Sequence, residues 1–485
     1  MNRNMDHMDA LFNPETVAVV GASNDLTKWG AGIFSRVLAS PSVKRRYPVN
    51  NRVSEVQSVK AYPTVGDLPE PVDFVAIVIP YPDVPSVIRD CAARGVKAAL
   101  IITAGLGETG EEGVRLEREI VTTAHAAGIR LVGPNCMGHF NTANDFSTLR
   151  MGMPITRGNI AVISQSGGFA MHILGCGVEA GLGFSKFVSV GNEADLHFED
   201  FLEYFAQDEQ TKVITGYIEG LRKGKDFLKL AAETTKTKPI VVVKVGRTGA
   251  GAKAAKSHTS AIAGEDLVYD AAFRQTGVIR VDEVEEIFDI AAALLRQPLP
   301  KSNRVGILTG GGGFGCVTSD ACERMDLDVA PLEQRTIERL NKVLPPRWPH
   351  GNPVDTVAAG FVTYPCLWPL MEDKNLDALL IIGSIGFSMR RMRGTTTSST
   401  EADKRMDEMV KLLQDEEMKG AQQLIEYMDE YQKPVIVSSR MPGGFTDSPV
   451  LRKLQDNGVM IYPTPERAVK VMAHLVQYSN YLRNS

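Results

Sequence analysis

Short apolar runs rich in Val, Ile and Ala recur along the chain, separated by longer stretches where apolar residues return every three or four positions. TVAVV, DFVAIVIP, KAALIITAG and IRLVG read as strands, and VPSVIRDCAARG and EEGVRLEREIVTTAHAAG as helices between them. Near-continuous β-branched strands are those buried on both faces, so this alternation predicts a parallel sheet with helices on either side. Residues 1–150 therefore read as a Rossmann-like domain.

A second unit, 151–298, repeats the pattern with NIAVISQSGG, GFSKFVSVGN, KVITGYIEG and KPIVVVKV, and closes on GVIRVDEVEEIFDIAAALL, a short strand and an amphipathic helix. LRQPLPKSN reads as a polar linker containing proline. A third unit, 303–485, opens with RVGILTGGGG, continues with DALLIIGSIG and KPVIVSSRMPGG, and ends with GVMIYPTPERAVKVMAHLV. Aligned with the second unit, it is an internal repeat of domain size. The expected fold class is α/β, with three Rossmann- or flavodoxin-like doubly wound domains and mostly parallel sheets. The third unit carries its own insertion at 388–425. Met406, Met409 and Leu413 there recur at helical spacing, the narrow apolar stripe of a surface helix.

Composition narrows the function classes. The 485 residues, 44 % hydrophobic and 23 % charged, are those of ordinary globular domains. A net charge of −5 argues against a nucleic-acid coat. Cys91, Cys136, Cys176, Cys316, Cys322 and Cys366 are scattered, with no CxxC pair or Cys/His cluster that suggests zinc, and free thiols fit a reducing cytoplasm. The longest apolar strands are about half of what a membrane-crossing helix needs, so no membrane association is expected.

Candidate chemistry gathers at strand ends. VGRTGAGAKAAKSHTSAIAG, Val245–Gly264, follows KPIVVVKV and has no counterpart in the third unit. Its Gly, Ala, Ser and Lys content suits a loop that passes close to phosphate oxygens. His258 stands in its middle, although a histidine in a polar loop is ordinarily a solvated residue. Glu219 ends the strand in YIEGL, where a carboxylate can bond one imidazole nitrogen and leave the other as nucleophile. The plainer reading is a solvated strand-end Glu.

Gly21, Ala22 and Ser23 form a strand-to-helix turn whose N–H groups suit a pyrophosphate, without the full GxGxxG. KRRYPVNNR lacks the acidic residue that NAD binding favours and offers Lys44, Arg45, Arg46 and Asn50. Those suit the extra phosphate of NADP or the 3′-phosphate of coenzyme A. Ser164, Gln165, Ser166, Gly167 and Gly168 form a second such turn, which a capped helix alone would also explain. GPNCMG places Asn135 and Cys136 beyond a strand's carboxyl end, though a lone cysteine is ordinarily a small buried residue. Gly310–Gly313 lacks the GK[ST] of a P-loop.

Taken together, LFNPETVAVVGASN, TAGLGETGEEG, GPNCMG, SQSGG, SVGNEADL, SHTSAIAGEDLVYDAAFRQTGVIRV and NPVD resemble the α subunit of ADP-forming acyl-CoA synthetases over nearly the whole chain. The first two units are similar, more distantly, to the α subunit of succinyl-CoA ligase. The resemblance implies that His258 is the phosphorylated histidine and Glu219 its supporting glutamate. It implies that Ser164–Gly168 and Asn135–Met137 hold phosphate near the CoA thiol, and that Ser23 and Val49–Asn50 lie in the CoA-binding domain. The implied reaction is acyl-CoA + phosphate + ADP ⇌ carboxylic acid + CoA + ATP, with Mg²⁺ accompanying the nucleotide. No stretch resembles an ATP-grasp domain, so a separate β subunit in an α2β2-like assembly is expected. One departure stands out: Ser260 occupies the place of the glycine that follows SHT in the family. A non-catalytic CoA-binding regulator and an NADP-dependent oxidoreductase are the rival readings.

Overall fold

In a computed structural model, residues 3–150, 153–251, 253, 266–357, 362–386, 401–439 and 448–485 are described. Thr16–Val20 (β1), Arg45–Val49 (β2), a hairpin of Glu55–Val56 (β3) and Val59–Lys60 (β4), Phe74–Ile77 (β5), Ala98–Ile101 (β6) and Arg130–Val132 (β7) follow one another. All but the hairpin join one parallel sheet, in the order β2-β1-β5-β6-β7. Every residue of β1, β5 and β6 is buried, which is why those runs show no polar alternation.

His139–Asn141 (β8), Phe146–Ser147 (β9), Arg157–Ser164 (β10), Phe184–Ser189 (β11), Val213–Ile218 (β12), Ile240–Lys244 (β13) and Ile279–Val281 (β14) build a second sheet, ordered β14-β13-β12-β10-β11-β8-β9. β8 and β9 are an antiparallel edge that sequence periodicity did not reveal. They fall before residue 150, yet pair with the second sheet. Arg304–Thr309 (β15), Asp328–Val329 (β16), Val354–Asp355 (β17), Ala378–Ile382 (β18), Val435–Ser438 (β19) and Met460–Tyr462 (β20) form the third, ordered β16-β15-β18-β19-β20 with β17 on β15.

Counting only the parallel strands of each main path, all three sheets have the order 2-1-3-4-5. The strand order therefore reverses between the first and third strands. In open α/β sheets that reversal opens the crevice where ligands bind. It sets one strand-to-helix turn of each sheet at a crevice: Gly21 after β1, Gln165 after β10 and Gly310 after β15.

The chain divides into two compact units, 1–291 and 292–485. In the first, the helix Arg3–Phe12 packs against both β6 of the first sheet and β8 of the second. Phe12 is fully buried against His139, Phe201, Tyr204 and Phe205. His139 Nε2 donates to the Leu11 carbonyl at 2.7 Å. In the second unit the expected linker is pinned: Gln297 bonds to the Val435 N–H and the Gly458 carbonyl, and Ser479 donates to the Pro300 carbonyl. Its polarity therefore reflects buried hydrogen bonds. The insertion continues as a single helix, Glu401–Tyr431, whose Ala421, Leu424 and Met428 enter the core while Leu412 is exposed. Residues 388–400 lie outside the described residues. No described helix is long and apolar enough to cross a membrane.

Candidate active site

At the first crevice Gly21 has φ +87°, and a Cβ there would lie 2.1 Å from the Val78 carbonyl oxygen at the end of β5. Only glycine lets the turn pass that strand end. The turn is held from behind. Asn50 Nδ2 donates to the Ala22 carbonyl at 2.8 Å, and Gln57 Nε2 to that of Ser23 at 3.3 Å. Asn24 Nδ2 donates to the Glu55 carbonyl. The following helix, Trp29–Ala39, starts at Lys28 with no side-chain cap. Gly21, Ser23 and Asn50 thus share one edge.

Lys44 and Arg45 do not join them. Parallel pairing of Thr16 with Arg45 and Val20 with Val49 puts both at the amino end of β2. That is about 13 Å of strand from the carboxyl edge. Lys44 is paired with Glu15 at 2.7 Å and Arg45 with Glu70, and Arg46 donates to the Val37 and Ser40 carbonyls. The expectation that they bind a cofactor phosphate is corrected by register. Arg52 is an exposed basic residue just past the carboxyl end of β2, and its N–H donates to Asn50 Oδ1. NNR, directly after the strand, was its signal.

At the second crevice Ser164 is fully buried and donates to the Ser166 carbonyl at 2.8 Å. Ser166 caps the helix Gly167–Glu179 by accepting from the Phe169 N–H. Between them Gln165 carries the largest share of the contacts. Its Oε1 accepts from the N–H groups of Glu219 and Gly220, and its Nε2 donates to the Gly220 carbonyl and to Glu193 Oε2. One side chain therefore fixes the backbone that presents Glu219. Sequence reasoning named Gln165 only as part of a turn.

Buried Glu193 is the far anchor. Its Oε1 accepts from the Phe198 N–H at 2.7 Å. Burial pushes its carboxyl up to about 8, against the pull of the Gln165 and Phe198 hydrogen bonds and Arg222.

The GPNCMG loop reaches the same crevice. Gly191 packs so closely that a Cβ would meet the Pro134 carbonyl oxygen at 2.1 Å, and Asn192 N–H donates to that carbonyl. Exposed Asn135, at φ +58°, donates to Asn192 Oδ1 at 3.3 Å. Met137 lies against Gly167, and its N–H donates to Ser189 Oγ. Asn135, Ser164, Ser166, Gly167 and Glu219 are thus brought together. The side chain of Cys136 is not: it is buried, donates to the Ile101 carbonyl, and burial pushes its thiol up to about 12. The Cys136 thiol is a packing group, so any ligand contact of this residue would be through its backbone.

His258 and Ser260 lie outside the described residues. The base of their loop is described. Arg247 pairs with Asp282 and, at 3.6 Å, with Asp266, so the residues on either side of the loop meet. Arg280 pairs with Asp266 and Asp270 beneath them. Lys244, unremarked in the sequence, is buried at the end of β13 with its ammonium 4.4 Å from the centre of the Tyr269 ring. Burial, then the Arg280 charge, hold its pKa below the usual lysine range, while Asp266 and Glu219 pull the other way.

Comparison with known proteins now gives the class. Residues 15–142 match the family described as CoA binding domain, and 157–294 the succinyl-CoA ligase like flavodoxin domain. The chain is 44 % identical over 377 residues to the acetate–CoA ligase (ADP-forming) II subunit alpha of Pyrococcus furiosus, covering 77 % of this chain and 82 % of that one. It is 35 % identical over 480 residues to subunit alpha of acetate–CoA ligase (ADP-forming) I of the same organism, covering 98 % of each. Among solved structures it matches the dinucleotide forming acetyl-coenzyme A synthetase 1 of Ca. Korarchaeum cryptofilum, in complex with phosphate and ADP. That match has a TM-score of 0.83 at 32 % identity and covers 99 % of both chains. The chain belongs to the α subunits of the ADP-forming acyl-CoA synthetases.

Proposed function

We propose that this chain carries the acyl and phosphoryl transfers of acyl-CoA + phosphate + ADP ⇌ carboxylic acid + CoA + ATP, with His258 as the phosphate carrier. The observation that carries this reading is the Gln165 clamp, which holds Glu219 beside the capped helix start at Ser166 and Gly167. The chain then works in three steps. Phosphate attacks the thioester carbonyl, forming the acyl–oxygen bond and releasing CoA thiolate. His258 attacks the phosphorus of the acyl phosphate, and the carboxylate leaves. The phosphoryl group then passes from His258 to ADP.

In each step the protein's part is positioning and charge stabilisation. Helix N–H groups at Ser166–Gly167 suit a phosphate dianion. Glu219 holds one imidazole N–H and leaves the other nitrogen free to attack.

The first crevice fits coenzyme A: the glycine turn is open to the edge, and the helix from Trp29 begins without a side-chain cap. Gly21, Ser23 and Asn50 would line it, with Arg52 near the 3′-phosphate. In this reading 1–150 binds CoA, 151–298 carries the histidine, and 303–485 is a second ligase-type domain. Nucleotide and Mg²⁺ are assigned to an ATP-grasp β subunit, and no residue here is assigned to the metal. The test is ATP formation from acetyl-CoA, phosphate, ADP and Mg²⁺ with that subunit present. Glu219→Gln should lower kcat on the order of 100-fold or more. CoA binding by the wild type without ATP formation would instead indicate a non-catalytic scaffold protein.

A further inference from the structure

A second cluster of ligand-type side chains lies farther along the helix that begins at the second crevice. His172 and Cys176 sit four residues apart on the helix Gly167–Glu179, which places them on one face. Glu285 comes from the first turn of the helix Val284–Arg296. One ligand atom from each lies within 4.8 Å of the other two. His172 Nε2 and Cys176 Sγ are 3.8 Å apart. Tetrahedral zinc, with bonds of about 2.0 Å to nitrogen and 2.3 Å to sulfur, would hold those atoms about 3.5 Å apart.

The packing explains how the third ligand arrives. Gly177 has no side chain where a Cβ would meet Phe184 at 2.5 Å and Phe288 at 2.9 Å. Phe288 therefore packs edge-on to Phe184, ring centres 6.0 Å apart, and draws its helix close. The His172 ring rests 5.2 Å from that of Phe169, which limits its rotation. His172 and Glu285 are exposed and Cys176 is half-buried, so an ion could enter from solvent.

We propose that His172, Cys176 and Glu285 bind a borderline divalent cation of the zinc class, with solvent in the fourth position. The mixed N, S and O donor set favours that class over magnesium or calcium. The site would fasten the helix that starts at the Ser166 turn to the helix Val284–Arg296. Sequence spacing hid it, because the third ligand is distant in the chain. A thiol gives up its proton to solvent as a sulfur–metal bond forms, so binding should weaken as pH falls.

The test uses the full chain, untagged and stripped of metal, titrated with Co²⁺. A near-ultraviolet thiolate-to-cobalt charge-transfer band should grow to saturation at one ion per chain and disappear on adding Zn²⁺. Cys176→Ser should abolish it. Glu285→Gln, a substitution at an exposed position that leaves folding intact, should weaken Co²⁺ binding on the order of 10- to 100-fold. Cys316→Ser, at the exposed thiol elsewhere, should leave the band unchanged. No band, a band that survives Cys176→Ser, or wild-type affinity in Glu285→Gln would overturn the proposal.

Discussion

The second and third sheets share one topology and differ at their crevices. Strand register pairs Ser164 with Thr309, Gln165 with Gly310, Glu219 with Ser384 and Lys244 with Ser439. The hydroxyls do the same work: Ser164 donates to the Ser166 carbonyl at 2.8 Å and Thr309 to the Gly311 carbonyl at 2.9 Å. So do Lys238 and Lys433, which open the two KP strands. Lys238 donates to the carbonyls of Phe205 and Asp208, and Lys433 to that of Asp373. Each closes the carboxyl end of the helix before the third strand, where a cation is favoured. The repeat thus preserves the scaffold's polar fastenings. At three positions at the carboxyl ends of these strands, one copy has Gln, Glu and Lys, and the other has Gly, Ser and Ser.

The sharpest way to break this comparison is to exchange a crevice residue. Gly310→Gln should fail, because a Cβ would sit 2.4 Å from the Gly383 carbonyl oxygen. A loss of about 4 kcal/mol or more is expected in the unfolding of 292–485 by denaturant. Gln165→Ala removes the buried partners of the Glu219 and Gly220 N–H groups. At about 1–3 kcal/mol for each stranded group, the first unit should lose about 3 kcal/mol. If that variant unfolds like wild type, Gln165 is no clamp. Lys238→Met and Lys433→Met should cost similar amounts, about 1–2 kcal/mol each, since they do one job in two copies. Unequal losses would show that the fastenings are not equivalent.

The smallest effect is in pH. Burial raises the Glu193 carboxyl to about 8, well above the ordinary carboxylate range. Between about pH 4.5 and 8 the folded chain therefore binds the extra proton, so stability falls as pH rises through that window. Buried His139 acts oppositely. Its pKa is lowered to about 4 by burial, so its contribution is lost as pH falls below about 6.5. Melting of Glu193→Gln should be less pH-sensitive above pH 6.5 than that of wild type.

The three sheets were legible because each buried parallel strand is a run of Val, Ile and Ala bounded by a glycine turn. β8 and β9 were not legible: two or three residues such as HFN and FS carry no period, and their burial comes from neighbours. Lys44 and Arg45 misled because charge was read without register, which decides which end of β2 they occupy. Gln165 was seen as a turn residue, since its importance lies in partners 28 and 55 positions away. Loop composition and a strand end singled out His258 and Glu219, but their roles came from family resemblance; taken alone, both read as ordinary polar residues.

The central claim is that His258 carries the phosphate. Incubating the full chain with the proposed ATP-grasp β subunit, Mg²⁺ and γ-labelled ATP tests it directly. The chain should acquire an acid-labile, base-stable label, weaker in Glu219→Gln and absent from His258→Asn. A His258→Asn chain labelled as strongly as wild type would contradict the account.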